Sequence, residues 1–519
     1  MLLRSPLRTS VDESIGSETS PPGWWLSPGS RSKRRLVTGS QRAVGPALRR
    51  VAPYAYLFVI AMLAAGVHIA RYTQFSPIDE LRHVDYAMRA SSFHAPRLGD
   101  VLSQDAMREE ACRGLDLPWE DQPCNTKKFA PLHFRDLGYQ TATAHPPTYY
   151  LGAGWFARAA EGLGLSNSFI DPARVFSALL FAAGLMVAFA AGRLAGIRGA
   201  PLLAALTFVP VMPAALHASS TVNPDATAIL VGAVVMLLGL LWERGRLPLW
   251  TLAIAGAVAG GTKFTSLLAV GVMGGVFLVR ARPIELTRVL WERRRARRAT
   301  KVAARIDDGV DVNDRGALPE LPDADPSVSP RRPLEYLIGL VVMLGTAFVV
   351  SGLWLAFDRM RATIAPIEVP QNQSLAFHSI PPASSVISTT QLFAWLPPWN
   401  GYDPVRFTST YVLDARTLMT YVFAGAVILA ALRVARRDTI SLFGMCCLVA
   451  ALVGAPAFVL LNVGVSKVLV NPEARYGLSM VPFMAAIVAS YAKNRIGTTL
   501  LWLGSLTSFA VVVGTMLAH

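Results

Sequence analysis

Charge is scarce in this chain. Asp, Glu, Lys and Arg make up 16% of its 519 residues, against 53% hydrophobic residues. Several apolar runs are long enough to cross a hydrocarbon core, which takes roughly 20 helical residues. Together these features specify a polytopic helical membrane protein. Cysteine is scarce too, with four in all. Cys446 and Cys447 lie inside an apolar run and read as small packing residues. Cys112 and Cys124 share a polar loop, and two thiols so close in sequence can pair in an oxidising compartment. No CxxC and no His-rich metal cage occurs. The first apolar run, beginning near Tyr54 behind a polar tail, has no cleavage site of small residues after it. It therefore reads as an uncleaved signal anchor.

The net charge of +15 does not indicate a nucleic-acid partner, because the basic residues lie in tails and short loops between apolar runs. That placement records which loops face the cytoplasm. The runs fall at about 54–72, 173–195, 200–217, 225–242, 248–262, 264–280, 334–357, 412–432, 439–461, 476–492 and 498–517. If 147–163 does not span, the basic loops at Arg193/Arg198, Arg244/Arg246, 288–305, Arg433/Arg436/Arg437 and Lys493/Arg495 all fall on one side. The positive-inside rule then gives about eleven spans, an inside N-terminus and two long outer loops, 73–171 and 358–411. Segment 147–163, with Tyr149, Tyr150, Trp155 and Arg158, becomes an interfacial helix. Four regions follow. Residues 1–50 form a disordered basic cytoplasmic tail, and 51–280 an N-terminal transmembrane module. Residues 281–333 form a cytoplasmic linker, and 334–519 a C-terminal transmembrane module.

"FSPIDELRHVDY" (75–86) sets Asp79, Glu80 and His83 on one helical turn directly after the first run. Ser76, Pro77 and Asp79 suit a helix start, so Asp79 alone reads as a cap. Capping does not explain Glu80 and His83, which add an acid and an imidazole where a base or a divalent-metal ligand can meet a lipid headgroup. "TAHPPTYYLG" presents His145 and Tyr149, and "ASSTVNPDATA" gives Asn223 and Asp225 at the outer end of a span. The last pair also suits helix-start chemistry. "GGTKFTS" places Lys263 a little inside the outer leaflet, where a charge faces a wet cavity rather than lipid. "NPEARYGLSMVP" adds Arg475 and Tyr476 at another outer end. Lys263 and Arg475 are the best candidates for a lipid-linked phosphate.

"SPIDELRH", "HPPTYYL", "GGTKFTS" and "ARYGLSMVP", in that order, resemble the glycosyltransferase C superfamily of multi-spanning enzymes. More specifically they resemble a related bacterial family of predicted membrane proteins of unknown function. The resemblance covers roughly 70 to 490, outside the tail and the linker. It implies an all-α polytopic fold of the glycosyltransferase C type, in the inner membrane of a bacterial cell, whose donor is a polyprenyl-phosphate sugar. The expected partners are the lipid bilayer, that donor and a glycan or lipid acceptor, with no nucleic acid. Asp79 or Glu80 would be the catalytic acid that takes the acceptor's proton. Lys263, Arg475 and Tyr476 would bind the donor phosphate. His145, Tyr149, Asn223 and Asp225 would belong to the substrate loops. A divalent metal (Mg or Mn) on His83 and Glu80 is a further expectation. The rival readings are a transporter or flippase for a lipid-linked glycan, and a non-catalytic scaffold of envelope assembly. A transporter would carry polar groups through the midplane and internal repeats, neither of which is evident.

Overall fold

The computed structural model describes residues 44–116, 122–285, 331–365, 382–390 and 410–518. It also describes short pieces between 287 and 296 and at 368, 374–376 and 395–396. The expected disordered tail, the middle of the expected linker and much of the second outer loop lie outside the described residues. The chain divides into two units, Met1–Arg50 and Val51–His519.

The apolar runs become helices. They are α1 (Val44–Arg71), α5 (Ile170–Leu194), α6 (Gly199–Thr207) with α7 (Pro213–Ser220), α8 (Ala228–Glu243), α9 (Trp250–Thr262), α10 (Leu267–Ala281), α11 (Pro333–Arg361), α13 (Thr410–Ala431), α14 (Thr439–Ser466), α15 (Val481–Tyr491) and α16 (Arg495–Ala518). Among the described residues, eight helices are long and apolar enough to cross a membrane, or nine if the bent pair 199–211 and 213–220 is one span. The expected eleven are not reached by length. Helix α9 has 13 residues and rises only about 20 Å against a core of about 30 Å. Helix α15 has 11 residues and is preceded by a 3₁₀ turn, Ala474–Met480.

The run at 200–217 is not one straight helix. It bends by 67°. Pro213 has no backbone N–H, and it keeps Met212 extended (φ −66°, ψ 129°), outside the helical region.

Two glycines set how closely α9 approaches α11. A Cβ on Gly256 would lie 2.2 Å from the Met343 carbonyl oxygen, and one on Gly260 would lie 2.3 Å from that of Ala347. Small residues four apart thus let two backbones touch, the usual solution where lipid supplies no hydrophobic drive. Helix α10 also lies along α11 and against α14, and α5 lies along α8. The two expected transmembrane modules therefore pack within one unit. Its core runs through Leu185, Val235, Met273, Met343, Phe443 and Phe483. On the opposite face of α11, Val341, Phe348, Val349 and Leu353 are exposed, as a lipid-facing helix requires.

The first outer loop is a folded layer with its own core. Helices α2 (Glu80–Ala90), α3 (Gln104–Arg113) and α4 (Thr148–Gly162) enclose Phe75, Val84, Tyr86, Met107, Phe129 and Tyr150. Cys112 and Cys124 are bonded, tying the end of α3 to the following loop. Helix α4 has 15 residues and buries Tyr149, Tyr150, Ala153 and Ala157, packing on α2 and α5. In the second outer loop a short helix, α12 (Ala383–Thr389), follows strand β1 (Ser374–Ala376). Strand β1 pairs antiparallel with β2 (Val468–Val470), with Ser374 opposite Val470.

Candidate active site

Asp79 occupies the N-cap position of α2 in the left-handed region (φ 60°, ψ 1°) and makes no side-chain cap bond. This corrects the expectation that it caps the helix. Glu80 reaches back instead: its Oε2 accepts from Ser76 N–H at 2.8 Å. The left-handed turn is tolerated by Asp more readily than by most residues, and such strain concentrates where geometry serves function.

The Asp79 carboxylate points at cations. Arg475 Nη2 lies 3.3 Å from Oδ2 and Arg82 Nη1 lies 3.5 Å from Oδ1. Arg82 is itself paired with Asp136 and donates to the Arg135 carbonyl. Arg475 and Lys263 in turn share Asp225. Lys263 Nζ donates to Asp225 Oδ1 at 2.6 Å, and Arg475 Nε stands 3.3 Å from Oδ2. Neither Arg475 Nε nor Asp225 Oδ2 has a well-aligned hydrogen bond. The Tyr476 ring faces both cations, with centroid distances of 4.9 Å to Lys263 and 5.5 Å to Arg475. Residues from four separate stretches of sequence thus converge.

Each element delivers its side chain for a local reason. Helix α9 ends at Thr262, and Lys263 is extended (φ −154°, ψ 138°) before a 3₁₀ turn, so its side chain leaves the helix axis at the break. Asn223 Oδ1 accepts from Asp225 N–H at 2.9 Å and opens the turn that holds Asp225. The Asn223 N–H donates to the Tyr149 hydroxyl at 2.9 Å, tying this turn to α4. The helix-start reading of Asn223 is what the structure shows, and Asp225 adds a buried carboxylate to it.

Glu80 has a different role from its neighbour. Its two oxygens accept from Arg174 Nε and Nη2, both at 2.8 Å, and from the N–H groups of Val222 and Ser76. The side chain is wholly buried, whereas that of Asp79 is 36% exposed. Of the two acids, only Asp79 is open to the surroundings of the site. His83 points Nδ1 at the Tyr150 hydroxyl at 2.8 Å, and its ring lies 5.9 Å from that of His145. Glu80 and His83 therefore do not fit a shared metal ion, since the acceptor positions of the one are filled and the other faces Tyr150. No group of three or more His, Cys, Asp or Glu among the described residues is arranged to hold one.

The electrostatics follow from this packing. Burial would raise the Asp79 carboxyl, but Arg475, Arg82, His83 and Lys263 outweigh it and hold it down at about 2. Burial, reinforced by Lys263, pushes His145 down to about 3 against the opposing pull of Asp225 and Asp79. His83 is also held well below the usual imidazole range, first by burial and then by His145. At neutral pH the site is an ionised carboxylate beside neutral imidazoles and fixed cations.

No protein-family model matches this chain, and no curated protein matches it. Among solved structures it is similar to the crystal structure of ArnT from Cupriavidus metallidurans bound to undecaprenyl phosphate. The identity is 16% and the TM-score 0.41, over 90% of this chain and 64% of that one.

Among the participants not singled out from the sequence, two lie within apolar runs. Arg174, which clamps Glu80, sits at the second position of an apolar run, where an arginine reads as a flanking charge. His217 accepts or donates a hydrogen bond with Ser76 Oγ at 2.8 Å from within the bent pair of helices. The signal was present in both cases, because an ionisable residue within a membrane segment is a site candidate by default.

Proposed function

We propose that this protein is a membrane glycosyltransferase that transfers a sugar from a polyprenyl-phosphate donor to a glycan or lipid acceptor on the outer face of a bacterial inner membrane. The observation that carries the reading is the meeting of a partly exposed carboxylate, Asp79, with two buried cations, Lys263 and Arg475. The acceptor hydroxyl attacks the anomeric carbon while the bond from that carbon to the phosphate oxygen breaks. Its proton passes to Asp79. The polyprenyl phosphate leaves with the bonding electron pair, and Lys263 and Arg475 take up its charge. Displacement in one step inverts the sugar carbon.

The phosphate competes with carboxylates already in place. Lys263 is held by Asp225, and Arg475 Nε lacks an aligned acceptor, so a phosphate oxygen completes contacts that the protein's own carboxylates leave poor. Its negative charge also offsets the cations that hold the Asp79 carboxyl down, so the base strengthens when the donor is bound. Glu80 is assigned as a positioning residue: it fixes the start of α2 and hence the direction of Asp79.

The test is a set of three variants assayed for donor binding and for transfer. Asp79→Asn should bind donor lipid normally and lose on the order of a hundredfold or more in rate. Lys263→Met and Arg475→Gln should weaken donor binding as well. Normal transfer by Asp79→Asn would remove the catalytic role assigned to that carboxylate.

A further inference from the structure

A second charged concavity lies far from the candidate active site, at the other end of α15. The span from Arg475 to Tyr491, one 3₁₀ turn and one helix, is roughly 25 Å long. There the end of α13, the start of α14 and the end of α15 enclose a cavity of about 190 Å³. It has room for several waters and so for a phosphate group. Arg433, Arg436 and Lys493 line it, together with Asp438, Ser441 and Tyr491.

The charges in this cavity do not cancel. Asp438 is the one carboxylate in the lining, and its Oδ1 is used to cap α14, accepting from the N–H groups of Ile440 and Ser441 at 3.0 Å. Three cations against one carboxylate leave a local excess of two. The Arg433 guanidinium lies over the Tyr491 ring, 5.1 Å from its centroid, a contact that restrains the side chain at the cavity, where a guanidinium can bind an anion in bidentate fashion. Topology alone asks only that basic residues occupy this loop. It does not ask that they converge on one cavity. Beside the lining residues Ala430 and Arg433 in the chain, Leu429 of α13 and Leu432 just past its end are exposed, an apolar surface suited to acyl chains.

We propose that this cavity binds the phosphate headgroup of an anionic phospholipid, in the leaflet opposite the candidate active site. Arg433, Arg436 and Lys493 contact the phosphate, and the tail lies along the α13 end. Such basic pockets between helix ends draw anionic lipids by charge.

The test uses the full-length protein in mild detergent, with retained lipid counted by native mass spectrometry. Phosphatidylglycerol should be retained in preference to phosphatidylcholine. Each of Arg433→Gln, Arg436→Gln and Lys493→Gln should lower that affinity by about fivefold, the size expected for one basic residue at a membrane surface. The control Arg244→Gln/Arg246→Gln, in another basic loop, should leave retention unchanged. Should either arginine variant fail to fold, the Lys493→Gln variant still decides the matter. Equal retention of the two lipids, or no loss in the variants, would overturn the proposal. Displacement of the lipid by millimolar inorganic phosphate would overturn the lipid assignment and mark the cavity as a site for free phosphate.

Discussion

A carboxylate ringed by cations is a poor proton acceptor until something else takes up their charge. Asp79 is in that position, and its lowered pKa has a consequence for pH dependence. Because the folded value lies below the unfolded one, its contribution to stability is complete above the ordinary carboxylate range. It is lost progressively as pH falls from that range to about 2. His83 and His145 stay neutral above the ordinary carboxylate range, since both are held far below the usual imidazole value. If the proposed transfer occurs, its kcat/KM should show no acid limb above about pH 5, because none of these groups titrates there. A limb with a midpoint near 6 would show that one of the two imidazoles is charged and that its surroundings are wetter than described. At this scale the sequence singled out Asp79, Lys263 and Arg475 as charges at span ends, and the structure brings the three side chains together. It could not separate Asp79 from Glu80. Two adjacent acids differ only in what they meet, and the partner of Glu80 lies 94 positions away.

The Glu80–Arg174 pair ties α2 to α5 and, through the Val222 N–H, to the turn that carries Asp225. Both side chains are buried, so removing one leaves the other without compensation. Arg174→Met should cost about 3–5 kcal/mol, seen as a lower temperature of aggregation in detergent. The double variant Glu80→Gln/Arg174→Met should recover part of that loss, since no uncompensated charge remains. An unchanged melting temperature in Arg174→Met would mean that the clamp is not what fixes α2. Each apolar run corresponds to helical structure, which hydropathy alone made legible. Less legible was where those helices break. Pro210 and Pro213 were visible inside the third run, yet mean hydropathy over a window does not register a 67° bend. In the layer at 73–171 the helix at 147–163 was foreseen, but not the core it shares with α2 and α3, because those core residues are dispersed among charges.

At the level of the whole molecule, side and orientation rest on the distribution of basic residues. A reporter fused after Gly164 should report outside, and one after Gly196 inside, with α5 crossing between them. An inside signal at Gly164 would make α4 a span and reverse the sidedness of the helices that follow it up to the next error in the count. The convergence of the 79, 225, 263 and 475 regions on one site was foreseeable only as a shared side of the membrane, since contact between them depends on helix packing that no local pattern encodes. Whether that site performs chemistry is decided by one measurement. Purified protein is reconstituted in vesicles with a donor lipid labelled in its sugar, together with acceptor, and the fate of the label is followed. The account predicts that the label passes to the acceptor with inversion at the anomeric carbon while free polyprenyl phosphate accumulates. Label that stays on its lipid while the lipid crosses the bilayer would contradict it and make the protein a flippase.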